Sequence, residues 1–242
     1  MEEIYLGFFK FILDLIIAYM KYIKFNNFTK EKKLWVNQII YWYNKNKRNL
    51  MWRKPENQNF YSIWISEIML QQTNVQTVEK YFLAFKKKWP TFKSFLNANL
   101  NDILKIWQGL GYYQRAKNIY KTLQILKKNK IKVTYNELIK LPGIGDYSAA
   151  AISAILADQN NAVVDGNIKR ILSRVFDIDS QSNTFKTQVY NKAQELTPNS
   201  GNGDYCQALM DIGATICKPK QVNCTICPLT KFCDFFITKK KF

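Results

Sequence analysis

Four of the chain's five cysteines crowd into one short segment. Cys217, Cys224, Cys227 and Cys233 follow the spacing C-x6-C-x2-C-x5-C, and Pro228 stiffens the loop just after the third. Free thiols rarely gather so tightly without a shared ligand. Zinc sites usually take their ligands from two close pairs separated by a long loop. Here the sulfurs are strung through one compact loop, closer to the thiolate runs that hold a cubane iron–sulfur cluster. The spacing therefore predicts a metal-bearing loop, with a 4Fe-4S cluster ahead of zinc and ahead of four merely packed thiols. Cys206 lies outside the pattern and is expected to pack on a helix.

The rest of the chain reads as helix. Trp35, Val36, Ile39, Ile40 and Tyr43 fall on one helical face. So do Ala116, Ile119, Tyr120, Leu123 and Leu126, and likewise Ile168, Ile171, Leu172, Val175 and Phe176. Strand-like alternation is scarce, Ala162–Val164 being the best extended piece. The prediction is an all-α fold, with polar loops at 180–185 and 197–204. The segment 1–27 stands apart and reads as an added helix packed on the body, an amphipathic membrane or partner helix being the alternative. Its apolar run, Ile4–Tyr19, is broken by Lys10 and Asp14, so no membrane span is expected. Glu2 and Glu3 argue against a signal peptide, and the cysteines then suggest a reducing compartment.

The formal net charge is +18, from 36 Lys and Arg against 18 Asp and Glu. Such an excess favours a polyanionic partner, nucleic acid or an anionic membrane surface, although an AT-rich genome also inflates lysine. There is no histidine. Ser-His-Asp and Cys-His catalysis are excluded, and acid–base chemistry falls to carboxylates, Lys, Tyr or Cys.

Two carboxylates stand out. Glu67 sits in Ile63-Trp64-Ile65-Ser66-Glu67-Ile68-Met69-Leu70, a helix apolar nearly all round. A carboxyl there loses hydration, so its pKa should rise toward that of a general acid at neutral pH. A structural hydrogen bond or a solvated helix end would also accommodate it. Asp165 follows Ala162-Val163-Val164 and opens the helix through Phe176, so it reads equally as an N-cap or as a catalytic carboxylate. Between the two, Leu141-Pro142-Gly143-Ile144-Gly145 links helical stretches at 137–140 and 148–156. Its glycines permit a tight turn whose N–H groups suit a phosphate, and the pattern reads as a helix-hairpin-helix.

In combination and order, these segments resemble the catalytic part of the adenine DNA glycosylases, of the endonuclease III superfamily. The resemblance runs from about Phe28 to Cys233. It rests on Ser66-Glu67-Ile68-Met69-Leu70-Gln71-Gln72-Thr73, Gly109-Leu110-Gly111-Tyr112-Tyr113, Leu141 to Gly145, Val164-Asp165-Gly166-Asn167 and the cysteine spacing. It implies two helical lobes with the active site in the cleft between them. A six-helix lobe with the hairpin would span 59–157. A cluster lobe would join 28–58 to 158–242.

It further implies a monomer acting on double-stranded DNA that carries a mismatched or oxidised base pair. The target base is expected to be flipped out of the stack. Glu67 would protonate the base, Asp165 would stabilise or attack the cationic sugar, and Tyr147 would support them. Leu70, Gln72 and Tyr112 would probe or wedge the stack beside the opposite base, Thr73 would also meet DNA, Gly143 and Gly145 would offer N–H groups to a phosphate, and Lys169 would touch the backbone. Bifunctional relatives carry Lys where Tyr147 stands, and that Lys cleaves the strand through a Schiff base. Base removal without efficient strand cleavage is therefore expected.

Met51 stands where Pro is usual, and only nine residues follow Cys233. The resemblance thus predicts a chain without the Nudix-like domain of adenine glycosylases, and weak preference for 8-oxoguanine over guanine. Short thymine or uracil glycosylases acting on T:G or U:G pairs share that architecture and a Tyr at the hairpin. They are the alternative enzyme, and a non-catalytic DNA-binding or redox-sensing protein is the alternative class. Gln71-Gln72-Thr73 and Asp165-Gly166-Asn167 favour the adenine enzymes.

Overall fold

The computed structural model describes residues 28–238. The helix expected at 1–27 lies outside the described residues. As the periodicity predicts, the fold is all-α, and the described residues include no strand, only an isolated bridge between Cys217 and Val222. No described helix is long and apolar enough to cross a membrane.

Side chains that outcompete solvent for the first free N–H groups start many of the helices. Asn59 accepts from Ser62 N at 3.0 Å to open α2 (Phe60–Leu70), while α1 is Phe28–Asn46. Asn74 accepts from Thr77 N at 2.9 Å to open α3 (Val75–Lys88). Thr91 and Ser94 form a reciprocal capping box on α4 (Phe92–Leu96), and Asn99 opens α5 (Leu100–Trp107). The series continues through α6 (Gln114–Lys128), α7 (Tyr135–Leu138), α8 (Asp146–Ala157), α9 (Gly166–Val175), α10 (Phe185–Leu196), α11 (Asn202–Thr215) and α12 (Asp234–Ile237).

These helices bury two apolar cores. The first surrounds α2, whose residues Tyr61 to Met69 are all buried. Phe95 is its aromatic centre, with ring contacts to Tyr61, Trp64, Phe85 and Trp89. Burying each such ring stabilises the lobe by roughly 1.5–3 kcal/mol. The second core packs Trp35, Ile39 and Tyr43 of α1 against α11 and the inner face of α9. Trp35 Nε1 donates to the Tyr205 hydroxyl at 2.8 Å, which satisfies both buried polar atoms.

Helix α8 belongs to both cores. Ala149 and Ile152 face the first, Ala150, Ala151 and Ala154 the second. Its small residues let α2 and α11 approach from opposite sides. At Gly203 an added Cβ would lie 2.9 Å from the Ala154 carbonyl oxygen, so α11 passes close to the α8 backbone there. The chain also crosses between cores after α1, since Leu50 and Trp52 pack into the first.

One loop expectation is corrected. Residues 197–204 read as a turn-rich loop, yet α11 begins at Asn202. The carboxylate of Asp158, distant in sequence, accepts from Gly201 N at 2.9 Å and Asn202 N at 2.7 Å. A cap supplied from another element starts the helix early, and no local pattern encodes it.

Candidate active site

Glu67, Tyr147 and Asp165 converge where α2, α8 and the start of α9 meet. Glu67 is 4% exposed on the third turn of α2. The Tyr147 hydroxyl, from the first turn of α8, donates to Glu67 Oε2 at 3.0 Å. Burial pushes the Glu67 carboxyl up to about 7. The Tyr147 hydrogen bond pulls it down, the Asp165 charge pushes it up, and Arg53 pulls it down. The carboxyl is thus poised between neutral acid and anion near pH 7. Burial and the adjacent Glu67 carboxylate hold the Tyr147 phenol far above its ordinary range, so it stays protonated.

Asp165 is the N-cap that one of its two sequence readings expected. As N-cap of α9 it accepts from Ile168 N at 2.7 Å through Oδ1, and from Asn167 Nδ2 at 2.9 Å through Oδ2. Burial raises its pKa, and those hydrogen bonds oppose the rise. The cap is what fixes the carboxylate in place beside Glu67.

Leu70, Gln72, Thr73 and Tyr112, all expected to meet DNA, divide into two kinds. Gln72 and Tyr112 are exposed on the surface, and both hold left-handed backbone, with φ 58° and 47°. Leu70 and Thr73 are half-buried. Leu70 leans on the first core, and the Thr73 hydroxyl accepts from Arg115 Nη2 at 3.2 Å. Gly143 and Gly145 lie in the turn between α7 and α8. Gly143 has φ 81°, and a Cβ there would sit 2.7 Å from the Asn118 Cβ, so glycine is required. Lys169 lines one cavity with Tyr147 and Asp146, its ammonium 4.8 Å from the centre of the Phe185 ring.

The cysteine loop follows α11 directly. Cys217, Cys224, Cys227 and Cys233 line a single cavity, and among the described residues no three Cys, Asp or Glu converge on a point as one bare ion would need. Arg174 donates to Cys217 Sγ at 3.2 Å and to the Lys218 and Pro219 carbonyls at 2.8 and 2.9 Å. Arg170 Nε donates to the Cys217 carbonyl at 2.9 Å. Cys206, as expected, is a buried residue of α11.

Two arrangements are not foreseen by the sequence reading. Asp211 is fully buried on α11 and accepts from Arg48 Nε at 2.6 Å and from Arg53 Nη1 and Nη2 at 2.7 and 3.0 Å. Its flanks, Met210 and Ile212, carried the same signal that marked Glu67: a carboxylate on an apolar helix. The second is Arg115, which is buried at the junction of α2 and α6.

Residues 65–199 match the HhH-GPD superfamily of base excision DNA repair proteins. The adenine DNA glycosylase of Buchnera aphidicola subsp. Schizaphis graminum is 42% identical over 201 residues, 81% of this chain and 57% of that protein. Its counterpart from Buchnera aphidicola subsp. Acyrthosiphon pisum is 40% identical over 215 residues, 86% and 61%. The chain thus spans about 60% of the length of these curated relatives. A thermostable thymine-DNA glycosylase of known structure superimposes with TM-score 0.76 at 27% identity, covering 87% of this chain and 98% of its own. With the hairpin, the paired carboxylates and two helical cores now placed around one site, the chain belongs to the HhH-GPD superfamily of base excision DNA repair proteins.

Proposed function

We propose that this protein is a monofunctional DNA N-glycosylase that removes adenine mispaired with guanine or 8-oxoguanine. The observation that carries the reading is the Tyr147–Glu67 hydrogen bond of 3.0 Å, in a buried site that raises Glu67 to about 7. The likeness to curated adenine DNA glycosylases supports adenine as the target base.

The chemistry follows from the residues. An adenine turned out of the duplex enters the site. Neutral Glu67 gives its proton to a ring nitrogen, and the electron pair of the glycosidic bond leaves with the base. Positive charge develops on the sugar, and the Asp165 carboxylate, held by the α9 amides, stabilises it. Water then adds to the sugar carbon, and its released proton passes to a carboxylate. Tyr147 keeps Glu67 oriented. A buried phenol forms no Schiff base, so strand cleavage is inefficient.

The excess positive charge, the exposed Gln72 and Tyr112, and the Gly143–Gly145 turn suit a duplex held across the cleft, the turn offering N–H groups to a phosphate. The cysteine loop fits a 4Fe-4S cluster: four sulfurs line one cavity, with Arg174 beside them to offset the charge of thiolates. Cys217, Cys224, Cys227 and Cys233 would hold it, and its iron–thiolate bonds would cross-link the loop. Protein carrying it would be yellow-brown, with about four irons per chain and absorbance near ~400 nm.

A second reading, thymine removal from T:G pairs, is favoured by the likeness to the thymine-DNA glycosylase. One panel decides. Duplexes holding A:8-oxoguanine, A:G, T:G and U:G are incubated with the protein and abasic sites revealed with alkali. Adenine release is expected. Thymine release alone selects the second reading, and no release from any duplex removes both.

A further inference from the structure

The geometry points to Arg115 as a positioning residue that locks two surface loops into one rigid wedge. One loop follows α2 and carries Gln72. The other precedes α6 and carries Tyr112. The inference rests on the DNA-glycosylase reading and assigns a role to a residue outside its chemistry.

The Arg115 guanidinium reaches both loops at once. Nη1 donates to the carbonyls of Ile68 at 3.0 Å, Met69 at 2.8 Å and Gln71 at 2.6 Å. Nη2 donates to Thr73 Oγ1 at 3.2 Å, and to the carbonyls of Leu110 at 3.3 Å and Gly111 at 3.2 Å. The carbonyls at the end of α2 have no partner within their helix, so a cation is well matched to them. The guanidinium also lies 5.3 Å from the Trp107 ring centre and 5.4 Å from that of Tyr112. The Trp107 indole donates to the Gly111 carbonyl at 3.0 Å, which fixes the second loop from its other side.

What these bonds hold is strained. Gln72 and Tyr112 both sit at positive φ without being glycine. Such backbone persists only where its surroundings determine it. Tyr112 is nevertheless 60% exposed and Gln72 is exposed too, so neither is held by burial. The fixed points lie beneath them, on Arg115. Two prominent side chains are thus preset on a single support, ready to enter a base stack without paying to order two loops separately. Lysine is no substitute, because one ammonium lacks the planar fork that spans both loops.

The test uses Arg115→Lys and a mismatched duplex with 2-aminopurine, a fluorescent adenine analogue, at or beside the target. The variant is expected to show less than half the wild-type fluorescence rise on binding. Single-turnover adenine release from A:G should slow at least about tenfold, the scale of losing hydrogen bonds to a charged group. In a background where Gln72→Ala and Tyr112→Ala are already combined, adding Arg115→Lys should cost little more, because Arg115 acts through those two side chains. The slope of affinity against salt should not change, since a buried Arg115 neutralises no phosphate. Additive effects, or a slope lower by about one ion, would overturn the clamp.

If Arg115→Lys does not fold, Thr73→Val removes one acceptor and keeps the shape, and wild-type unstacking by that variant overturns the clamp. A wild type that unstacks and releases adenine beside an unimpaired Arg115→Lys sinks the clamp alone. A wild type that binds the duplex but neither unstacks it nor releases adenine sinks the clamp and the enzymatic reading together.

Discussion

Two buried carboxylates, on α2 and α11, meet opposite fates. Glu67 on α2 is 4% exposed, and Asp211 on α11 is 0% exposed. For both, burial is the largest influence and pushes the pKa up. Asp211 ends below its ordinary value because Arg53 and then Arg48 bind it directly. Glu67 ends at about 7 because its direct partner is a neutral phenol. Burial therefore sets the cost of a charge, and the partner decides whether it is kept. One carboxylate is a structural anion that ties the crossing segment at 48–53 to α11. The other is an acid held in reserve. Arg53 touches both balances, paired to Asp211 and acting on Glu67 through space.

The largest expected effect is on chemistry. Glu67→Gln should slow base release by as much as about ten-thousandfold, the upper range for a general acid, with duplex binding intact. Single-turnover rates and a binding isotherm check this. A rate within about tenfold of wild type would remove Glu67 from the mechanism.

Next comes Asp211→Asn, which leaves two partly buried guanidinium groups without their anion. Urea unfolding at pH 7 should show a loss of about 3–5 kcal/mol. The linkage has a definite sign. The Asp211 pKa is depressed on folding, so its contribution is present above the ordinary carboxylate range and is lost as pH falls through its folded value. The deficit of Asp211→Asn should therefore shrink in acid. A deficit that persists unchanged there would mean that shape, not charge, holds this junction.

Glu67 shows the reverse linkage. Its pKa rises on folding, so its contribution is full below the ordinary value of 4.5 and is lost as pH climbs through the folded value of about 7. At pH 8, Glu67→Gln should be more stable than wild type by about 3 kcal/mol, and near pH 4 the two should be alike. Wild-type activity should decline above pH 7 for the same reason. A stability difference that ignores pH would break the contrast between the two acids.

Asp165→Asn should cost about a hundredfold in rate, the scale of one electrostatic stabiliser. The amide still caps α9, so the melting temperature should barely move. Its lost charge should also lower Glu67 and shift the alkaline limb down, because Asp165 pushes Glu67 up. A lower melting temperature with little rate loss would leave only the cap.

The smallest expected effect is that of Tyr147→Phe, at about 1 kcal/mol of barrier for one hydrogen bond. Its direction matters more. That bond lowers Glu67, so its loss should move the alkaline limb to higher pH. A downward shift would show that Tyr147 acts on Glu67 by some other route.

By itself the sequence determined the helical class and the helices with an apolar stripe at helical period, such as α1, α6 and α9. It also marked Glu67 as a candidate acid, since its apolar neighbours at helical spacing lie within its own helix. The hairpin and the Asp165 cap are likewise short-range, and the same segments carried the resemblance to the glycosylases. Tertiary structure decided the rest. Asp211 carried the same local signal as Glu67, but its arginines are 158 and 163 residues away, and only folding shows that they neutralise it. Nothing local marks Arg115, and only folding brings it to the carbonyls at the end of α2. Asp158 became a cap only when α8 reached the start of α11. A residue's own helix fixes what burial will cost it. What meets it there depends on packing between elements, and local pattern does not carry that information.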